Sequence, residues 1–104
     1  MNPFQIIVRD APTGPVLTVV GELDYATAHE LRAVVPTVGL RPGQCLTVDL
    51  ARLEFCDSSG ITALLAARHH ARAAQADIAL TAVPSNTLRI LRMTGLDQVF
   101  TLQP

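Results

Sequence analysis

Phe55-Cys56-Asp57-Ser58-Ser59-Gly60-Ile61 marks the point where an apolar run gives way to a long helical pattern. Upstream, Cys45-Leu46-Thr47-Val48-Asp49-Leu50 reads as a strand, because apolar and β-branched residues suit a pleated, buried surface. Downstream, residues 59–75 are rich in alanine and leucine, with Arg68, Arg72 and Gln75 as polar members. Ile61, Leu64, Leu65 and Ala71 can share one buried face, and the alanines let such a helix lie close on a sheet. Asp77 through Val83 then reads as another strand. Strand, helix and strand at this spacing imply a parallel pair with a right-handed crossover. Asp57 is placed to cap the helix, which puts Ser58 and Ser59 in its first turn, at the carboxyl end of the strand that begins at Cys45. Negative charge is favoured at a helix N-terminus, and the crevice beyond the carboxyl ends of strands is the usual site of function in open α/β sheets. Gly60 is expected to leave room for another surface to approach.

The flanks fit the same class. Phe4-Gln5-Ile6-Ile7-Val8 and Val16-Leu17-Thr18-Val19-Val20 read as two strands. Between them Pro12, Gly14 and Pro15 supply a turn, so a hairpin is expected. Thr27-Ala28-His29-Glu30 has the spacing of a capping box, and a short helix burying Leu31, Val34 and Val35 should follow until Pro36 ends it. Pro84-Ser85-Asn86-Thr87 opens a further helix through Leu88, Leu91 and Met93, with Gly95 as its stop. Val99-Phe100-Thr101-Leu102 is a short last strand.

The chain of 104 residues suits one domain, residues 1–104. With 49% hydrophobic and 16% charged residues, there is enough apolar material for a core, which excludes disorder. A net charge of −1 gives no global attraction to nucleic acid, and 4% aromatic residues argue against base-stacking platforms. No apolar run approaches the roughly 20 residues of a membrane helix, and Met1-Asn2-Pro3-Phe4 shows no signal peptide. No membrane insertion is expected. Cys45 and Cys56 lack any C-x-x-C spacing. They read as reduced, buried thiols of a cytosolic protein, although the sequence leaves a disulfide between them open.

Other chemistries find little support. His29, His69 and His70 form no i, i+4 pair, and the two cysteines complete no zinc-ligand spacing, so neither a metal nor a cofactor is expected. Ser58 as a hydrolase nucleophile lacks G-x-S-x-G, with His29 the only imaginable base and little material for a pocket. A phosphate-binding G-x-x-x-x-G-K-[ST] loop is absent. Arg68, Arg72, Arg89 and Arg92 read as solvated faces that can also meet an acidic partner. Asp24, in Gly21-Glu22-Leu23-Asp24, is either a loop carboxylate or an acid on a binding face near Ser58. A phosphate on Ser58 would add about −1.5 to −2 charges beside Asp57.

Three islands carry a resemblance: Gly21-Glu22-Leu23-Asp24, Val48-Asp49-Leu50 through Ile61, and Thr94-Gly95-Leu96 followed by Val99-Phe100. In this order and spacing they span nearly the whole chain, which resembles the STAS domain family and specifically bacterial anti-anti-sigma factors, or anti-sigma factor antagonists. The resemblance implies an α/β fold with a small mixed sheet of about five strands packed against about three to four helices. It also implies a cytoplasmic, non-enzymatic protein that binds an anti-sigma factor serine kinase and so frees a sigma factor for transcription. The kinase phosphorylates the serine after the aspartate, which falls on Ser58, and a phosphatase acting on phosphorylated Ser58 restores binding. Asp24, Asp57, Ser59, Gly60 and Thr62 match the partner-binding region around it. An alternative within the family is a scaffold or ligand-sensing module in a stress-signalling or transport assembly. Thr62 departs from the family, where many members carry glycine or another small residue, and this bears on partner choice. Pro104 follows closely on the last strand, so no further helix is expected and one sheet edge is less covered.

Overall fold

The computed structural model describes residues 3–104. Met1 and Asn2, read above for a targeting segment, lie outside them. Six strands and three α-helices follow in the order β1 (Gln5–Ala11), β2 (Gly14–Leu23), α1 (Ala28–Val34), β3 (Cys45–Asp49), β4 (Leu53–Cys56), α2 (Ser58–Ala73), β5 (Asp77–Thr81), α3 (Ser85–Met93) and β6 (Thr101–Gln103). The sheet order is β1-β2-β3-β5-β6, and β4 pairs with the far end of β2.

β1 and β2 form the expected antiparallel hairpin, with Gln5 opposite Val20 and Ala11 opposite Gly14. All other pairings are parallel. The β3–β5 pair, bracketing α2, matches the parallel pair read from the sequence. The carboxyl ends of β2, β3, β4 and β5 therefore gather at one end of the sheet, and the chain leaves each there into a loop or a helix.

One sheet face carries the core. Leu17, Val19, Leu46, Val48 and Leu80 are fully enclosed and join Ile61, Leu64, Ala67 and Ala71 of α2 and Leu31 of α1 in one cluster. Ala63, Ala67 and Ala71 recur every four residues, so α2 turns its narrowest stripe inward and approaches the strands closely. Leu65 is half-buried at the edge of this contact. Each fully buried leucine contributes about 1.5–3 kcal/mol through removal from water. Cys56 is buried and Cys45 half-buried, and both are free thiols.

The structure corrects the sequence reading at three points. The strand before Asp57 is β4, not β3. Leu53 and Cys56 are buried while Glu54 and Phe55 are exposed, because the register against β2 slips by one residue between Gly21 and Glu22. A bulge of this kind destroys the two-residue alternation by which a strand is recognised. With β4 added to the five strands read from the sequence, the sheet has six, within the small mixed sheet expected. Second, Thr27 precedes α1, but its side chain makes no capping bond to the helix. Its hydroxyl donates to the Glu22 carbonyl at 2.7 Å and accepts from the Asp24 N–H at 2.9 Å, so it folds the preceding loop. Third, Val83 lies beyond the end of β5, and the last strand is shifted to Thr101–Gln103. The helix ends follow the sequence more closely. A 3-10 turn containing Pro36 follows α1, and Gly95, at φ +75°, takes the left-handed conformation that ends α3.

Candidate functional site

Leu23 and Cys56 are register partners at the carboxyl ends of β2 and β4. The residues that follow them, Asp24 and Asp57, therefore emerge side by side although they stand 33 positions apart in the sequence. Asp57 joins the two exits. Its N–H donates to the Leu23 carbonyl at 3.3 Å. Its Oδ1 accepts from the Gly60 N–H at 3.1 Å, which is the N-cap bond of α2, and its Oδ2 accepts from the Tyr25 N–H at 3.3 Å. One carboxylate thus fixes the start of α2 against the β2–α1 loop. An N-cap of this type is worth about 1 kcal/mol.

Asp24 works within its own loop. Its Oδ1 accepts from the Ala26 N–H at 3.0 Å, and its carbonyl accepts from the N–H groups of Thr27 and Ala28. This satisfies orphan donors at the start of α1. Both readings of Asp24 meet here, since the loop carboxylate also stands next to the serine segment.

Ser58 is exposed, whereas Ser59 is half-buried. The Ser58 hydroxyl has no partner among the described residues, and its carbonyl accepts from Thr62 Oγ1 at 3.0 Å. Thr62 is exposed one turn further along the same helix. Gly60 differs from its sequence expectation. It is buried, and a Cβ there would stand 2.5 Å from the Leu23 carbonyl oxygen and 2.6 Å from Cys56 Sγ. The surface that approaches Gly60 is the end of the protein's own β2, so this residue is withdrawn from the exposed contact set. Cys56, directly beneath, has its thiol pushed up to about 12 by burial and by the neighbouring Asp57 charge. It remains a neutral thiol at physiological pH.

Between the N-terminal ends of α1 and α2 lies an open groove of about 510 Å³. Tyr25, His29 and Arg32 line one side of it, and Ser59 and Thr62 the other. His29 approaches the serine segment as imagined from the sequence, yet no hydrogen bond joins it to either serine. His69 and His70 lie on α2, which begins at Ser58. Among the described residues no group of three His, Cys, Asp or Glu side chains could hold a metal, and no helix is long and apolar enough to cross a membrane.

Tyr25 and Arg32 escaped the sequence reading. Tyr25 is 87% exposed, and its one available signal was a lone aromatic residue directly after Gly21-Glu22-Leu23-Asp24. Arg32 carried no signal beyond its place on a short helix.

Comparison with known proteins agrees with this architecture. An anti-sigma-B factor antagonist of Listeria monocytogenes is 25% identical over 101 residues, covering 96% of this chain and 89% of that protein. The crystal structure of an anti-sigma factor antagonist from Mycobacterium paratuberculosis superposes with a TM-score of 0.84 at 29% identity, over 98% of this chain and 86% of that one. The Bacillus cell fate determinant SpoIIAA in its phosphorylated form shares the fold, with a TM-score of 0.71 at 21% identity over 98% and 91% of the two chains. The family model described as Mlab, STAS domain, matches residues 6–104. This chain belongs to the STAS domain family.

Proposed function

We propose that this chain is a phosphorylation-controlled anti-sigma factor antagonist, acting as one STAS domain over residues 1–104. It binds an anti-sigma factor that is also a serine kinase, and that binding frees a sigma factor for transcription. The kinase transfers the γ-phosphoryl group of ATP to Ser58 Oγ. The new P–O bond forms as the bond to ADP breaks, and the hydroxyl proton passes to a base of the kinase. A phosphatase hydrolyses the phosphoserine and restores binding. The chain is the substrate in this cycle, not a catalyst, and it works in the cytoplasm without contacting nucleic acid or inserting into membrane.

The observation that carries the reading is the Ser58 hydroxyl, without a partner among the described residues and exposed at the start of a helix whose position Asp57 fixes. A kinase can reach such a group without unfolding anything. The names of the Listeria and mycobacterial relatives support the antagonist role. The phosphorylated state of the Bacillus relative supports a switch of this kind. Asp24, Asp57, Ser59 and Thr62 complete the proposed binding face, and Gly60 serves it from beneath.

The electrostatics are adequate. Two unit charges about 4 Å apart interact by roughly 4 kcal/mol at an effective dielectric of 20. Screening at an exposed site removes much of this. The remainder still matters, because about 1.4 kcal/mol is tenfold in affinity.

The test is incubation with kinase-type anti-sigma factors and ATP, followed by mapping of the phosphate by mass spectrometry. Ser58 is expected to carry the label. Ser58→Ala should block labelling and keep partner binding, while Ser58→Asp should impair binding. Equal labelling of wild type and Ser58→Ala overturns the site assignment.

A further inference from the structure

Among the described residues five large apolar side chains are exposed: Ile7, Val8, Tyr25, Phe55 and Met93. Tyr25 is the most exposed of them at 87%, and it alone lines the groove that adjoins the serine segment. Its backbone is tied to the start of α2 through its N–H bond to Asp57 Oδ2 at 3.3 Å. A large aromatic side chain held in water on a fixed backbone has the character of an interface anchor, since its burial removes much apolar area at small entropy cost.

The charge of the groove follows from the residues that line it, which do not include Asp24 or Asp57. Both Asp57 oxygens and Asp24 Oδ1 are turned to backbone N–H groups of the protein itself. Arg32 stands exposed on the same groove, and its guanidinium has no partner among the described residues. Arg32 is thus the one charged side chain among the residues that line the groove, and it stands beside an aromatic ring. Such a surface complements a carboxylate next to an aliphatic side chain.

We infer that Tyr25 and Arg32 select the partner: the anti-sigma factor presents an acidic side chain to Arg32 and an aliphatic one to the Tyr25 ring. This rests on the antagonist reading proposed above and adds the chemistry of the contact. It also gives phosphorylation a second means of release. A phosphate on Ser58 repels the partner's carboxylate.

The test uses the full chain and a panel of purified kinase-type anti-sigma factors, with affinities measured for wild type, Tyr25→Ala, Tyr25→Phe, Arg32→Gln, Arg32→Glu and Ser58→Asp. Tyr25→Ala and Arg32→Glu should each weaken binding about tenfold or more, the range of an interface anchor. Tyr25→Phe, which keeps the ring, should stay within about twofold by the same measure. Arg32→Gln should flatten the salt dependence of binding and reduce the loss caused by Ser58→Asp. Circular dichroism and melting temperature should not change, because both side chains lie outside the core. If a panel member is weakened by Ser58→Asp yet binds Tyr25→Ala and Arg32→Glu as tightly as wild type, this inference is wrong and the antagonist reading stands. If no panel member binds wild type, the antagonist reading fails and takes this inference with it.

Discussion

Replacing Gly60 with alanine adds one methyl group at the tightest point of the site. The new Cβ would lie 2.5 Å from the Leu23 carbonyl oxygen, 2.6 Å from Cys56 Sγ and 3.0 Å from Leu23 Cγ. The carbonyl is backbone and Leu23 Cγ is a branch point; Cys56 Sγ ends its side chain but is buried. The carbonyl belongs to the last residue of β2 and already accepts from the Asp57 N–H. Relief therefore requires α2 to move away from the sheet as a unit. Overpacking of this kind costs about 1–3 kcal/mol, and the alanine recovers at most about 1 kcal/mol of helix propensity. A net loss of about 1–2 kcal/mol corresponds to a melting temperature about 4–16 °C lower for a domain of this size. Thermal unfolding by circular dichroism measures it directly. Cys56→Ala combined with Gly60→Ala should recover only part of the loss, because the backbone contact remains. A Gly60→Ala protein melting within two or three degrees of wild type, by the same scale, would refute the close-approach argument.

Further consequences follow from the same geometry. Asp57→Ala removes the N-cap and leaves the Tyr25 N–H without its acceptor, so stability should fall by about 1–2 kcal/mol in urea unfolding; an unchanged midpoint contradicts the clamp. Cys56 adds a pH dependence. Its folded thiol is pushed up to about 12 from the ordinary 9.0, so the unfolded chain ionises first, and stability is full below about pH 9 and falls as pH rises towards 12. Cys56→Ala should lack this alkaline slope when urea midpoints are compared from pH 7 to 11. In native protein, a thiol reagent at pH 8 should modify half-buried Cys45 before buried Cys56; the reverse order contradicts the packing beneath Gly60.

The legibility of this chain varied with the range of the interaction. The hairpin, α2 and the stop at Gly95 depend on local chemistry: turn residues, helical periodicity and a left-handed C-terminal glycine. The capping role of Asp57 is local too, and the Gly60 N–H bonds to its carboxylate as expected. Its second bond, to Tyr25, spans 32 residues and leaves no local trace. Strand β4 was hidden because the bulge against β2 exposes Glu54 and Phe55 together. Thr27 misled for the opposite reason. Its spacing to Glu30 suits a capping box, but the tight β2–α1 loop claims the hydroxyl first. The identity of the surface facing Gly60 depends on the parallel pairing of β2 with β4, which no single segment encodes.

In the proposed cycle, negative charge on Ser58 detaches the partner from a domain that stays folded, and that release can be measured. It is tested most directly by the affinity of one anti-sigma factor for the chain before and after stoichiometric phosphorylation at Ser58, with melting temperature recorded for both forms. The phosphorylated form should bind at least about tenfold more weakly, equivalent to about 1.4 kcal/mol, with a closely similar melting temperature. Equal affinity of the two forms contradicts it.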